Sequence, residues 1–156
     1  MSLTSKIISL LLFLMFPVAA VAGSTVLTLL HNGKTVEFSL EDLESMPQNE
    51  FVTSTTWTEG PQTFTGVALV DFVATNRLAS SRFKAYAIND YSVEIPLSDA
   101  IEGGPMIAIR RNGELMSVRD KGPLWIVYPY DSDPKYQTEV IYSRSIWQLD
   151  RIEGLN

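Results

Sequence analysis

The chain has 156 residues, of which 12 are basic and 18 acidic, so its formal net charge at pH 7 is −6. An acidic chain is a poor candidate for binding nucleic acid or an anionic membrane surface, because both repel it. The sequence contains no cysteine and one histidine, His31. This composition excludes thiolate metal sites, cysteine nucleophiles, and histidine triads and zinc sites of the usual kind.

The first 22 residues have the pattern of a cleaved signal peptide. Lys6 precedes an apolar run over residues 7–16, and Ala20-Val21-Ala22 is a typical cleavage pattern. The run is shorter than the ~20 residues that a membrane span needs. We therefore expect residues 1–22 to be removed on export. Residues 23–156 would then form one periplasmic domain with no stable membrane insertion.

The exported part begins with a predicted hairpin and a short helix. The turn Asn32-Gly33 predicts a hairpin between residues 25–30 and 35–38. Ser39 has the side chain of a helix cap, and Met46-Pro47 would end that helix. The beginning of the domain is therefore predicted from local signals alone.

The rest of the chain alternates between strands and turns. Residues 51–57, rich in threonine and aromatic residues, predict a strand that ends at Trp57. Residues 67–74 have apolar side chains at helical spacing, so we expect a helix that ends near Asn76. Further short strands are predicted at residues 82–88, 92–95, 106–111, 114–117, 124–128 and 146–152, and residues 63–65 are predicted to form a short strand or a turn. The predicted fold class is α+β, a strand-rich single domain with a few short helices.

Three adjacent charged side chains precede the most apolar strand. Arg119, Asp120 and Lys121 are followed by Gly122-Pro123 and then by residues 124–128. A buried strand cannot hold such a cluster, so the charges must lie just before the strand begins. There they are in solvent, in ion pairs or bound to a ligand. A carboxylate that accepts two N–H bonds recognises the edge of a pterin, a purine or a guanidinium group. Spacing alone leaves a ligand pocket and a local ion pair as equal alternatives.

Aromatic residues near these strands are candidates for the same pocket. Trp57 is predicted at a strand-to-loop position, where functional residues are common. Trp125 and Trp147 are predicted on strands and are expected to belong to the core. The sequence contains no nucleophile elbow, phosphate loop or metal-ligand cluster. The residues therefore indicate a binding pocket and no catalytic centre.

Five segments of the sequence, in this order, resemble the molybdopterin-binding domain of sulfite-oxidase-type oxidoreductases. They are residues 64–72 (FTGVALVDF), 87–96 (AINDYSVEIP), 111–115 (RNGEL), 122–129 (GPLWIVYP) and 145–153 (SIWQLDRIE). The resemblance extends over residues 25–153. It implies the sulfite-oxidase fold, a mixed α+β domain with a pterin-holding pocket.

The sequence departs from these enzymes at the metal. The resemblance implies that a cysteine ligates molybdenum from the strand that here contains Ser54, Thr55, Thr56 and Trp57. This chain has hydroxyls and an indole there, and a hydroxyl is a far poorer molybdenum ligand than a thiolate. We therefore expect no molybdenum and no redox catalysis. A molybdenum-cofactor oxidoreductase that uses an oxygen ligand or a partner subunit is the alternative.

The chain is also similar to the small, exported, cysteine-free branch of this fold, whose members bind pterins. Some members work with membrane-bound enzymes of cyclic-di-GMP metabolism. The resemblance implies a pterin as the bound ligand and the periplasmic domain of a membrane-bound signalling protein as partner. A module that has kept the fold but binds no ligand is a third alternative.

Carried over to this sequence, the resemblance implies a ligand site of nine residues. Trp57 would stack on the pterin, and Asp120 would accept hydrogen bonds from its amino and ring N–H groups. Arg119 and Lys121 would donate to its carbonyl or side chain. The remaining candidates are Asn89, Asp90 and Tyr91 in a facing turn, and Ser143 and Arg144, which would close the pocket.

Overall fold

The computed structural model describes residues 23–155 of the chain. The strands within them are β1 (Thr25–His31), β2 (Lys34–Ser39), β3 (Gln48–Thr53), β4 (Gln62–Ala68), β5 (Arg82–Ala87), β6 (Ser92–Pro96), β7 (Met106–Arg111), β8 (Glu114–Leu115), β9 (Trp125–Val127) and β10 (Leu149–Leu155). The helices are α1 (Leu40–Ser45), α2 (Leu69–Thr75) and α3 (Glu139–Arg144). The predicted signal peptide lies outside the described residues. In residues 23–155 no helix is long and apolar enough to cross a membrane.

The first sheet has the strand order β2-β1-β10-β5-β6. Strands β1 and β10 are parallel, with Leu29 opposite Ile152, whereas the other pairs of this sheet are antiparallel. A parallel pair needs a long connection between its strands. Here that connection is almost the whole domain, so the first and last described strands lie side by side.

The second sheet has the order β3-β4-β7-β8, and β9 also pairs with β7. Its central strands approach closely at Gly66, which lies on β4. A Cβ atom at this position would lie 2.1 Å from the carbonyl oxygen of Ile107 on β7. Glycine is therefore required here by the space between the two backbones.

Strand β9 is buried on both faces. Trp125, Ile126 and Val127 are each 0% exposed, so the side chains of both alternating faces belong to the core. The strand predicted at residues 124–128 is confirmed, although its paired part is shorter. The apolar run is explained by this two-sided burial.

Backbone hydrogen bonds between residues 121–126 and residues 146–149 join the two sheets, and we call this pair of segments the clamp. The amide of Ile126 donates to Ile146 O, that of Gln148 to Lys121 O, and that of Leu149 to Leu124 O, each at 2.9 Å. The first segment leads into β9 in the second sheet, whereas the other leads into β10 in the first sheet. The clamp therefore fixes the position of one sheet relative to the other.

The local predictions at the start of the domain are confirmed. Strands β1 and β2 form the hairpin around Asn32-Gly33. Ser39 Oγ accepts a hydrogen bond from the Asp42 amide, and the Asp42 carboxylate accepts one from the Ser39 amide. This reciprocal pair is a capping box, which fixes the first turn of α1.

Several element boundaries predicted from the sequence are wrong, and one helix is missing from the prediction. The strand expected to reach Trp57 ends at Thr53, and the last strand begins at Leu149 instead of residue 146. Helix α3 was not predicted at all. It has six residues, of which only Ile141 is buried, so it has no apolar periodicity to detect.

Candidate functional site

Trp57 lies at the centre of an aromatic cluster. Its ring makes edge-to-face contacts with four other aromatic rings, at centroid distances of 5.4–6.2 Å. These rings belong to Trp125, Tyr130, Tyr142 and Trp147. Edge-to-face packing at these distances is the favoured geometry for aromatic pairs, so the cluster fixes the indole plane of Trp57.

The loop that carries Trp57 is held by a carboxylate from a distant part of the chain. Asp131 Oδ2 accepts a 2.6 Å hydrogen bond from the Ser54 amide, and the Asp131 amide donates to Thr53 Oγ1 at 3.0 Å. The Trp57 amide donates to Thr55 Oγ1 at 3.1 Å. Because Asp131 takes the backbone donor that a neighbouring strand would otherwise bond, β3 ends at Thr53 and the chain turns toward the cluster.

One side of Trp57 faces a mainly apolar cavity of about 300 Å³. Four of the predicted ligand residues line it: Trp57, Asn89, Tyr91 and Ser143. Trp147 lines it as well and is 37% exposed, so the expectation that this residue belongs to the core is wrong. Trp147 lies in the clamp, outside any strand, which is why its ring faces the cavity.

Trp57 also lines a polar cavity of about 330 Å³. The predicted residues Arg119, Asp120 and Lys121 line it. Arg111, which the sequence reasoning missed, contributes a third cationic side chain. The only local signal for Arg111 is its place at the end of a strand, immediately before the turn Asn112-Gly113. Trp57 is therefore a lining residue of both cavities.

The charge cluster does not form an ion pair with itself. Asp120 Oδ2 accepts a hydrogen bond from Ser117 Oγ at 2.8 Å, and the Asp120 amide donates to the same hydroxyl at 3.2 Å. Arg119 and Asp120 are exposed, and Arg119 has no ionic partner within residues 23–155. The Asp120 carboxylate and the Arg119 guanidinium therefore face the polar cavity with hydrogen-bonding capacity to spare.

Lys121 connects the charge cluster with the aromatic cluster. Its ammonium lies 5.2 Å from the ring centroid of Trp147 and 5.9 Å from that of Trp125, within range of cation–π attraction. Its backbone is left-handed, with φ of 74°. A residue other than glycine in this region is uncommon, and Asn and Asp are the usual exceptions. The clamp holds this conformation, because Lys121 O accepts the Gln148 amide.

Two of the nine predicted residues lie outside both cavities. Arg144 donates to Asp99 Oδ2 at 3.0 Å, and the Tyr128 hydroxyl donates to the same oxygen at 2.7 Å. Asp90 is paired with Arg151. Neither Arg144 nor Asp90 lines the space around Trp57. Both side chains are directed to ionic partners that the sequence spacing could not identify.

Buried tyrosines next to the aromatic cluster are held in the protonated form. Burial raises the pKa of Tyr128 far above its usual value, and its hydrogen bond to Asp99 adds to the effect. Burial also raises the pKa of Tyr130, although its hydrogen bond to Ser145 opposes the shift. The Tyr130 hydroxyl donates to Ser145 Oγ at 2.6 Å, which in turn donates to Ile141 O at 2.8 Å. These hydroxyls are structural donors and are not acids or bases at neutral pH.

The segment 54–57 does not fit molybdenum. Thr55 Oγ1 and Thr58 Oγ1 are hydrogen-bonded to each other at 2.7 Å, and Thr55 Oγ1 also accepts the Trp57 amide. The chain has no cysteine to supply a thiolate. A neutral hydroxyl that is already hydrogen-bonded is a far weaker metal ligand than a thiolate.

Comparison with known proteins supports the fold. No protein-family model and no curated protein matches the chain. Among solved structures, the sulfane dehydrogenase SoxCD from Paracoccus pantotrophus is similar, with a TM-score of 0.61 and 17% sequence identity. The match covers 82% of this chain and 37% of that chain, so this protein spans little more than a third of the enzyme's length. The predicted α+β, sulfite-oxidase-like fold is confirmed.

Replacement of Asp99 with alanine is expected to destabilise the fold by about 2 kcal/mol, because it leaves Arg144 and the buried Tyr128 hydroxyl without their shared acceptor. Urea unfolding measures the change. Asp99→Asn keeps an acceptor for the hydroxyl and should cost about half as much. A change below about 0.5 kcal/mol for Asp99→Ala would show that this network contributes little.

Proposed function

We propose that the protein binds a pterin between the two cavities around Trp57 and performs no redox chemistry at molybdenum. The observation that carries this proposal is the position of Trp57, which lines both an aromatic cavity and a polar cavity with cationic and acidic side chains. A pterin is a planar aromatic ring system with one strongly hydrogen-bonding edge. It therefore needs both kinds of surface at one place.

The aromatic cavity supplies the stacking surface. Trp57, Tyr91 and Trp147 line it, and its volume of about 300 Å³ is at the lower end of the range for ligand pockets. A bicyclic ring suits a pocket of this size. Stacking between rigid aromatic rings orients such a ligand at a low cost in conformational entropy.

The polar cavity supplies the recognition of the ring edge. Among residues 23–155, Asp120 accepts one side-chain hydrogen bond, from Ser117, so its second oxygen is available to a ligand amino or ring N–H group. Arg119 and Lys121 line the same cavity and donate to carbonyl or side-chain oxygens of the ligand. Hydrogen bonds to ionised groups are the stronger class, so these three residues would determine specificity.

We further propose that the protein acts in the periplasm and reports ligand binding to the outer domain of a membrane-bound signalling enzyme. The signal-peptide pattern of residues 1–22 supports export. Exposed apolar side chains next to the aromatic cavity support a partner surface there: Ile88 lies between two lining residues, and Tyr91 lines the cavity while being largely exposed. Binding in the cavity would change the surface that the partner contacts.

The first test is to identify what the protein carries when it is purified without added ligand. After acid denaturation, we expect the supernatant to show pterin fluorescence, directly or after mild oxidation, with no molybdenum in the same sample. Stoichiometric molybdenum would instead support the oxidoreductase alternative. If no ligand is released and neither reduced nor oxidised pterin raises the melting temperature, the pterin proposal is wrong, because a ligand selective for the native state must stabilise it.

Two side chains are expected to dominate the affinity. Asp120→Ala should weaken pterin binding by about 1–3 kcal/mol, because the donor edge of the ligand loses its acceptor. Trp57→Ala should weaken pterin binding by a similar amount through lost stacking. The affinity of Trp57→Phe should lie between those of the parent and of Trp57→Ala. Isothermal titration measures these changes. Arg82→Ala is the control, since Arg82 belongs to an exposed ion pair and lies outside both cavities. Unchanged affinity in Asp120→Ala would exclude Asp120 as the acceptor.

The partner surface can be tested by photo-crosslinking in the cell. A photoreactive amino acid at position 88 should give an adduct with a membrane protein, and its yield should depend on the supply of pterin. The same amino acid at position 52 is the control, because Val52 is 60% exposed and lies on β3, which does not line the aromatic cavity. Equal adducts from both positions would argue against a specific contact next to the ligand.

A further inference from the structure

A second concave site lies at the other end of the domain, between the turn of the β1–β2 hairpin and the end of α2. Its volume is about 230 Å³, and it shares no lining residue with the two cavities around Trp57. Leu29 and Val36 give it an apolar wall, and Lys34 and Arg77 give it two cationic side chains. It is therefore both apolar and positively charged.

The two cations of this site are not neutralised by the protein. Neither Lys34 nor Arg77 forms an ion pair within residues 23–155, and no carboxylate lines the cavity. This is unusual in a chain whose net charge is −6, where carboxylates outnumber basic side chains. Both side chains are exposed, so their N–H donors are available to an anion in the cavity.

Arg77 occupies a position that favours glycine. It follows α2 directly after Asn76 and has a left-handed backbone with φ of 52°. The Arg77 amide donates to Ala74 O at 3.2 Å, and the Leu78 amide donates to Val73 O at 3.0 Å, which ends the helix. Glycine is the usual residue at this point because it has no Cβ. An arginine at this position adopts a backbone conformation that glycine would adopt at lower cost.

Two amide side chains of the cavity make hydrogen bonds, whereas His31 Nδ1 is buried without a hydrogen-bond partner. Asn76 Nδ2 donates to Phe72 O at 2.9 Å, and Asn32 Nδ2 contacts His31 Nε2 at 3.0 Å. The His31 ring lies against β10, where a Cβ at Gly154 would be 2.5 Å from His31 Nδ1. The His31 ring is therefore fixed by its packing against β10. The N–H donors that a ligand in this cavity can reach are those of Lys34 and Arg77.

We propose that this cavity binds the phosphate group of a small organic phosphate ester. Arg77 offers a planar pair of N–H donors and Lys34 an ammonium, which together match a doubly charged phosphate. Leu29 and Val36 contact the organic substituent, which distinguishes the ester from inorganic phosphate. The phosphate group comes either from a soluble ester or from a lipid headgroup.

The test is a titration of the ¹⁵N-labelled protein with phenyl phosphate. The backbone amides of residues 32–34 and 77–79 should shift saturably, and inorganic phosphate and benzoate should bind more weakly, because each lacks one half of the ligand. Arg77→Gly should weaken binding at least about tenfold. Its melting temperature should be equal to or above that of the parent, because glycine relieves the left-handed backbone.

The matched control is Arg82→Ala, which removes the same charge from an exposed ion pair with Glu94 on β5 and β6. This variant should show the same amide shifts with phenyl phosphate as the parent. Vesicles of phosphatidylcholine with phosphatidic acid test the lipid source: co-sedimentation that Arg77→Gly abolishes assigns the phosphate to a lipid headgroup. No saturable shift and no such co-sedimentation, or equal binding by the parent and Arg77→Gly, would overturn the proposal.

Discussion

The clamp between residues 121–126 and residues 146–149 is the constraint on which the site depends. Each sheet of this domain has its own hydrogen bonds and could be displaced relative to the other if only side chains lay between them. The three backbone hydrogen bonds of the clamp remove that freedom. They also place Lys121 beside Trp147, because both residues belong to the clamp itself. The two cavities therefore form where the two sheets are joined.

Much of the fold could be predicted because local signals determine it. The hairpin follows from Asn32-Gly33, and α1 follows from Ser39 and Asp42, all of them neighbours in sequence. The end of β3 could not be predicted, because it depends on a carboxylate 77 residues further along the chain. Helix α3 could not be predicted either, since one buried residue gives no periodic pattern.

The candidate site was predictable as a set of residues but not as a shape. Seven of the nine residues line one or other cavity, because polar and aromatic residues on exposed loops are good indicators of binding. The division into an apolar and a polar cavity is a tertiary property, and so is the contribution of Arg111. Asp90 and Arg144 lie outside both cavities because each is bound to an ionic partner. These partners, Arg151 and Asp99, lie 61 and 45 residues away in the sequence, so they could not be predicted.

Trp57 lines both cavities, and this has a consequence for ligand binding in each of them. A rotation of the indole changes the shape of both cavities, because the same ring borders both. Occupants of the two cavities would therefore not bind independently, and thermodynamic linkage requires that each changes the affinity of the other by the same factor. The four rings packed around Trp57 would set the size of this coupling through their resistance to the rotation. The Trp57 side chain would thus couple ligand binding in the two cavities inside a domain of otherwise fixed geometry.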